Sequence, residues 1–345
     1  MRIINTHAHW YPPEWIDLLD KEGANNGAII GRNARGEVTF NKTGTQFRGI
    51  EEKVGRGTIV FRRDQIDIEQ RLKTMDDTRV DVQVLSLTTP MVYWAPPEFG
   101  LKLSQAFNDA CAAVHAKDPD RFLGMAMAPM QAPELAVQEI ERASKLPGVR
   151  GLYMATHING KNLDDKDFFP VYAKCEELDW PIFLHPGNPI GGDRTAKHFL
   201  VNLLGNPYDT GIAAASLMFG GVMDAFPKLD VMLPHAGGTF PGLIGRMNHG
   251  ATMRPEFKHM TKRPSDYLRR FHYDTIAHNS HFLMYMVREI GADRIVLGDD
   301  YPADMGYKRP VDVVDDLKEL TASERAMILS SNAERLLRLE PLTAR

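Results

Sequence analysis

The sequence predicts a (β/α)8 TIM barrel. Eight short apolar or β-branched runs end in polar residues, helix-like patterns lie between most of them, and 345 residues suffice for a barrel of about 250 plus an insertion. The runs are RIIN at 2 to 5, VDVQVLSL at 80 to 87, FLGMAMAPM at 122 to 130 and VRGLYMATH at 149 to 157. PIFLHP at 181 to 186, DVMLPHAGG at 230 to 238, FHYDTIA at 271 to 277 and RIVLGDDYP at 294 to 302 complete the set. Near-continuous apolar strands favour parallel pairing with both faces covered. Between strands, Leu103, Phe107, Ala110, Cys111 and Val114 share one helical face, as do Phe282, Tyr285, Met286 and Glu289. A doubly wound sheet is the structural alternative.

The chain reads as a single domain over 1 to 345, with the surplus length gathered at 21 to 65. There GAIIGRN, GEVTFN and GTIVFRR look like small strands joined by turns, expected to form an inserted strand-rich cap after strand one, beside the barrel mouth. A plain surface excursion fits that composition equally well. Segments from Asp312 to Leu320, Ser323 to Leu329 and Asn332 to Leu339 are expected to close the outside of the barrel as amphipathic helices.

Composition narrows the function classes. The formal charge of -4 arises from 41 Lys and Arg against 45 Asp and Glu, without long like-charge blocks, so neither nucleic acid nor an anionic membrane is an expected partner. The start MRIINTHAH lacks a signal-peptide pattern, and no segment approaches about 18 apolar residues, so a cytoplasmic protein is expected. Cys111 and Cys175 have no metal-type spacing and receive no chemical role.

Chemistry gathers at strand ends. His7 and His9 in THAH, two residues apart, project to one face of a strand and suit a shared metal ion. His185 in FLHP, His235 in LPHAGG and Asp300 in LGDDYP also fall at carboxyl ends of expected strands, the face on which barrel enzymes carry their sites. Singly, each has a bland reading: exposed or core histidines, a tight turn at His235, a helix cap at Asp300, with Asp299 competing for its place. Their joint placement points to a metal centre.

The series THAHW, FLHPG, PHAGGTFPGLIGR and LGDDYP resembles the decarboxylase branch of the amidohydrolase superfamily, the aminocarboxymuconate-semialdehyde decarboxylase-like family. The resemblance runs from about residue 2 to about residue 338 and includes VDVQVLS, NDACAAVHAKDPDRF and SNAERLL. It implies one divalent ion held by His7, His9, His185 and Asp300, usually Zn²⁺, with Mn²⁺ also suited to such N/O ligands. His235 is implied as the acid/base, with Asp300 orienting a bound water. Arg48 in TQFRGI and Arg246 in GLIGR are implied as substrate-carboxylate ligands, Arg246 reaching the neighbouring subunit's site in a homodimer.

Strand four, GLYMATH, has no lysine to bridge two ions, and Lys161 lies in the following loop, which favours a mononuclear site. His157 is read as loop or outer layer, His278 as pocket-lining, His272 and His281 as structural, and Trp10 as near enough to line the pocket. The expected activity is metal-dependent, non-oxidative decarboxylation of an unsaturated or aromatic carboxylic acid without organic cofactor. The alternatives are a metal-dependent hydrolase or hydratase of a ring-cleavage product, and a metal-binding protein without catalysis. Gly187-Asn188-Pro189 and Ala303 depart from the family pattern and leave room for another carboxylated ring or ring-cleavage product.

Overall fold

The computed structural model describes residues 1–42 and 58–340. Its main sheet has eight strands in sequential order. They are β1 (Ile4–His9), β2 (Val82–Ser86), β3 (Phe122–Ala126), β4 (Val149–Ala155), β5 (Ile182–His185), β6 (Val231–Leu233), β7 (Phe271–Asp274) and β8 (Ile295–Val296). All neighbouring pairs are parallel. The ends of the sheet meet: Thr6 N–H donates to Leu297 O at 2.8 Å, Asp300 N–H to His7 O at 2.9 Å and His9 N–H to Tyr301 O at 2.7 Å. The expected TIM barrel is therefore present and closed.

The apolar strands are buried along nearly their whole length, because helices cover their outer faces. Those helices are α1 (Pro13–Glu22), α2 (Ile68–Asp77), α3 (Pro97–Lys117), α4 (Pro133–Ala143), α5 (Phe169–Glu177), α6 (Asn206–Phe219), α7 (Phe240–Met253) and α8 (Ser280–Glu289). Local chemistry starts them where the sheet needs them. Proline opens α1, α3 and α4, where its missing N–H costs nothing. Asp67 caps α2 through Gln70 N–H, and Asn279 caps α8 through Phe282 N–H. The face of α3 read from the sequence is the buried one, with Leu103, Phe107 and Cys111 in the core.

Two strand boundaries shift. The first strand runs Ile4–His9, beyond the apolar run at 2 to 5, and both histidines of THAH sit within it, as expected, and are buried. The last strand is only Ile295–Val296, because the chain must turn inward at Gly298. A Cβ there would lie 2.9 Å from both His7 Cβ and Asp274 Cβ, so only glycine permits that approach. In the insertion, Ala28–Arg32, Val38–Lys42 and Ile59–Val60 pair as one antiparallel sheet. Its Phe40 ring packs on Trp94 at 4.9 Å. Arg48 lies outside the described residues.

Candidate metal centre

Five side chains converge at the carboxyl ends of β1, β5, β6 and β8. The period of two along β1 aims His7 and His9 to the same side, and their Nε2 atoms lie 3.3 Å apart. Asp300 Oδ1 is 2.8 Å from His9 Nε2, 3.4 Å from His7 Nε2 and 4.0 Å from His185 Nε2. His235 Nε2 is 3.8 Å from Asp300 Oδ2. Ligand atoms of His7, His185, His235 and Asp300 lie within 4.8 Å of one another.

The hydrogen bonds behind the imidazoles set their tautomers. His7 Nδ1–H donates to Asp274 Oδ2 at 2.7 Å, and His185 Nδ1–H to Pro186 O at 2.9 Å. Ser86 Oγ–H donates to Ala8 O, so Ser86 Oγ accepts from His9 Nδ1–H at 3.1 Å. The outer nitrogens are thus the donors, so each imidazole, when neutral, turns an Nε2 lone pair inward toward a carboxylate. Among the described residues His185 Nε2 is buried without a hydrogen-bond partner. Bare lone pairs 3.3 Å apart repel unless a positive charge lies between them. Two nitrogens at about 2.0–2.1 Å from a tetrahedral ion are separated by about 3.3 Å, so the donor set fits a divalent ion.

Without an ion a proton takes its place on the inner nitrogen: burial alone would lower His7, but hydrogen bonds to Asp274 and Asp300 raise it to about 10, so binding a divalent ion there releases a proton. Burial lowers His9 to about 4 and takes His185 well below the usual imidazole range. Burial opposes ionisation of Asp300, yet the neighbouring imidazoles of His235, His7 and His9 hold it well below the usual carboxylate range. Asp299, pointed elsewhere and buried, is pushed up to about 6. Of the two adjacent aspartates, Asp300 is the one that meets the histidines.

His235 is held in an uncommon backbone. It and Ala236 have φ of 54° and 53°, and both N–H groups donate to Asp274, at 3.0 and 2.8 Å. Gly238 completes the turn, since a Cβ there would strike Pro207 O at 2.2 Å. Asp274 thereby holds His7 and aims the His235 loop at once. It carried no role in the sequence reading; the available signal was its place at the end of FHYD, in line with the other strand ends. Arg71, also missed, is fully buried and donates to His9 O and, at 2.8 Å, to Gln83 Oε1. Its guanidinium lies 4.7 Å over the Tyr301 ring, tying β1 to the loop after β8.

Other candidates lie elsewhere. Trp10 packs against Phe107 outside the barrel and donates its indole N–H to Ile66 O at 2.9 Å, so it does not line the metal cavity. His157 donates Nε2–H to Asn188 O and accepts Gly160 N–H at Nδ1, which leaves no ligand atom. His278 lines the cavity with His235 and Asp300 and packs on Tyr307. His272 sits at the opposite end of β7 beside Asp230, in a structural role. Arg246 is exposed on α7, outside this chain's own cavity. The cleft over the cluster, ≈ 1280 Å³, is lined by His9, His185, Asp300, Tyr307 and Lys308 among others.

Fold and cluster together are those of a barrel with a cation site on its catalytic face. The chain belongs to the amidohydrolase family, whose profile matches residues 4–339. It is 33% identical over 342 residues to the 2-amino-3-carboxymuconate-6-semialdehyde decarboxylase of Dictyostelium discoideum, covering 98% of this chain and 92% of that one. The 5-carboxyvanillate decarboxylase of Sphingomonas paucimobilis superposes with a TM-score of 0.82 at 25% identity, over 98% of this chain and 99% of the other. A dihydroxybenzoic acid decarboxylase from Polaromonas, with bound manganese and the inhibitor 2-nitroresorcinol, has a TM-score of 0.76 and 25% identity, over 98% and 97% of the chains.

Proposed function

We propose that the chain, acting as one catalytic unit, is a metal-dependent, non-oxidative decarboxylase of an aromatic or conjugated carboxylic acid. The carrying observation is the convergence of the Nε2 atoms of His7, His9 and His185 on Asp300, with His185 Nε2 buried and unpartnered among the described residues and a further histidine, His235, beside them. His7, His9, His185 and Asp300 are assigned as ligands, and His235 as the acid/base. When bound, the divalent ion supplies positive charge to stabilise oxyanions of the substrate. Without that charge an anionic acid would face Asp300 alone. His235 transfers a proton to the carbon that bears the carboxylate; the carbon–carboxylate bond then breaks, its electron pair returns to the conjugated system, and CO2 leaves. Asp300 Oδ2 lies 3.8 Å from His235 Nε2, beside the nitrogen that would carry the transferred proton.

Zn²⁺ is the proposed ion, with Mn²⁺ as the alternative that the manganese in the Polaromonas relative supports. A homodimer is also proposed: Leu203, Leu204, Tyr208 and Leu243 are exposed, Leu243 on the helix that carries Arg246, and such apolar side chains suit contact with a second copy. Arg246 and Arg48 are assigned to the substrate carboxylate, Arg246 across that interface. A cytoplasmic location accords with two buried free thiols, Cys111 and Cys175. CO2 release from a panel of aromatic and muconate-type acids by metal-loaded protein is the test. Solvent-oxygen incorporation without CO2 would instead establish the hydratase or hydrolase. His235→Asn should abolish turnover with bound metal unchanged; full activity removes His235 from the mechanism.

A further inference from the structure

A smaller recess of ≈ 60 Å³ adjoins the metal cleft, with Thr89 and Asn188 lining both. Its apolar walls are Phe40, Pro90, Met91, Tyr93, Trp94 and Ala155, and no Lys, Arg, Asp or Glu among the described residues lines it. The recess lies close to the cluster, because Ala155 pairs with His185 in the sheet and Gly187 follows two residues later. Gly187 faces this entrance: a Cβ there would meet Met91 Sδ at 3.8 Å, Ala155 Cβ at 3.9 Å and Met91 Cε at 4.0 Å, ordinary contacts with no clash, so that a larger side chain would enter the recess.

The walls are pinned in place. Trp94 indole N–H donates to Met91 O at 3.2 Å, Asn159 Nδ2–H to Tyr93 O at 2.8 Å and Tyr93 O–H to Met127 Sδ at 3.6 Å. The polar atoms of His157 are already engaged by Asn188 and Gly160. A charged substituent entering here would lose its hydration and meet no countercharge from the described residues. An apolar one would gain from burial against a surface that needs no reordering.

We propose that this recess binds an uncharged, apolar substituent carried by the substrate acid, a short alkyl group, and that Gly187 is the residue that admits it. The volume, ≈ 60 Å³, holds about four water-sized groups, which caps the length of the substituent. The proposal rests on the decarboxylase reading for the acid itself. It narrows the substrate class from conjugated acids in general to alkyl-bearing aromatic acids.

The test uses hydroxybenzoic acids carrying hydrogen, methyl, ethyl or propyl at each ring position in turn. Affinity by calorimetry and CO2 release are measured for wild type, Gly187→Ala and Gly187→Leu at equal metal content. For one ring position, wild-type affinity and kcat/KM should rise by about fourfold per added carbon. Gly187→Leu, which fills the recess, should cut the propyl-to-hydrogen ratio at least tenfold, with Gly187→Ala between. An equal slope in Gly187→Leu, no preference in wild type, or no binding by any member overturns the recess. Recess-dependent binding without CO2 sinks the decarboxylase reading alone; CO2 release without a slope sinks the recess alone.

Discussion

Replacing Asp274 with asparagine should damage the centre although Asp274 is no proposed ligand. Its Oδ2 accepts from His7 Nδ1–H at 2.7 Å and His235 N–H at 3.0 Å, and its Oδ1 from Ala236 N–H at 2.8 Å and Ile276 N–H at 3.0 Å. Four donors thus meet one fully buried carboxylate. An asparagine has one oxygen for them, and its NH2 must face the other pair. If the NH2 faces Ala236 and Ile276, two backbone donors lose their acceptor, at about 1–3 kcal/mol each. If it faces His7, the imidazole must accept at Nδ1 and carry its proton on Nε2, where a lone pair is needed for the ion. Loss of such a buttress costs about 10- to 100-fold in metal affinity. Chelator competition with Zn²⁺ and urea unfolding of the metal-free protein read the two branches. Asp274→Asn with affinity within twofold of wild type and an unshifted unfolding midpoint would refute the reasoning.

The remaining predictions concern the supports of the site and the opposite end of the barrel. Gly298→Ala forces a Cβ to within 2.9 Å of two others and should destabilise by about 1–3 kcal/mol while weakening metal binding; an unchanged melting temperature counts against the close approach. Arg71→Met leaves His9 O and Gln83 Oε1 without their buried donor, which should lower stability by about 2–6 kcal/mol in urea titration, and an unshifted midpoint would dismiss that role. Burial pushes the Asp230 carboxyl up, but His272 and Arg338 outweigh it and hold it at about 2. Its stabilisation, about 2 kcal/mol, is complete above the ordinary carboxylate value and lost as pH falls from about 4 through 2. Asp230→Asn should therefore be less stable at pH 7 and converge on wild type near pH 2; a constant gap would exclude the linkage. Stripping the ion should abolish binding of the acid as well as CO2 release, measured by calorimetry, since Asp300 then repels it.

Much of the site was legible because strands have a short period and barrels place their chemistry at one end. THAH, FLHP, LPHAGG and LGDDYP each mark a strand end, and the structure brings His7, His9, His185, His235 and Asp300 together there. Asp274 was legible only as another polar residue at a strand end: its bond to His7 spans 267 residues of sequence, so nothing local marks it as a buttress. Trp10 shows the opposite failure. It follows His9 directly, but one step along a strand reverses the side chain, sending the indole outward onto α3.

The sequence by itself determined the order of strands and helices, and the face of β1 that carries two imidazoles, because periodicity and capping act over a few residues. Tertiary structure alone decided which imidazole nitrogen each support engages, through Asp274, Ser86 and Pro186, and it is Asp300, the aspartate the resemblance implied, that meets the histidines. It also decided that Gly298 must be bare and that the space beside Gly187 is open. These depend on distances between segments far apart in the chain, which only closure of the barrel sets.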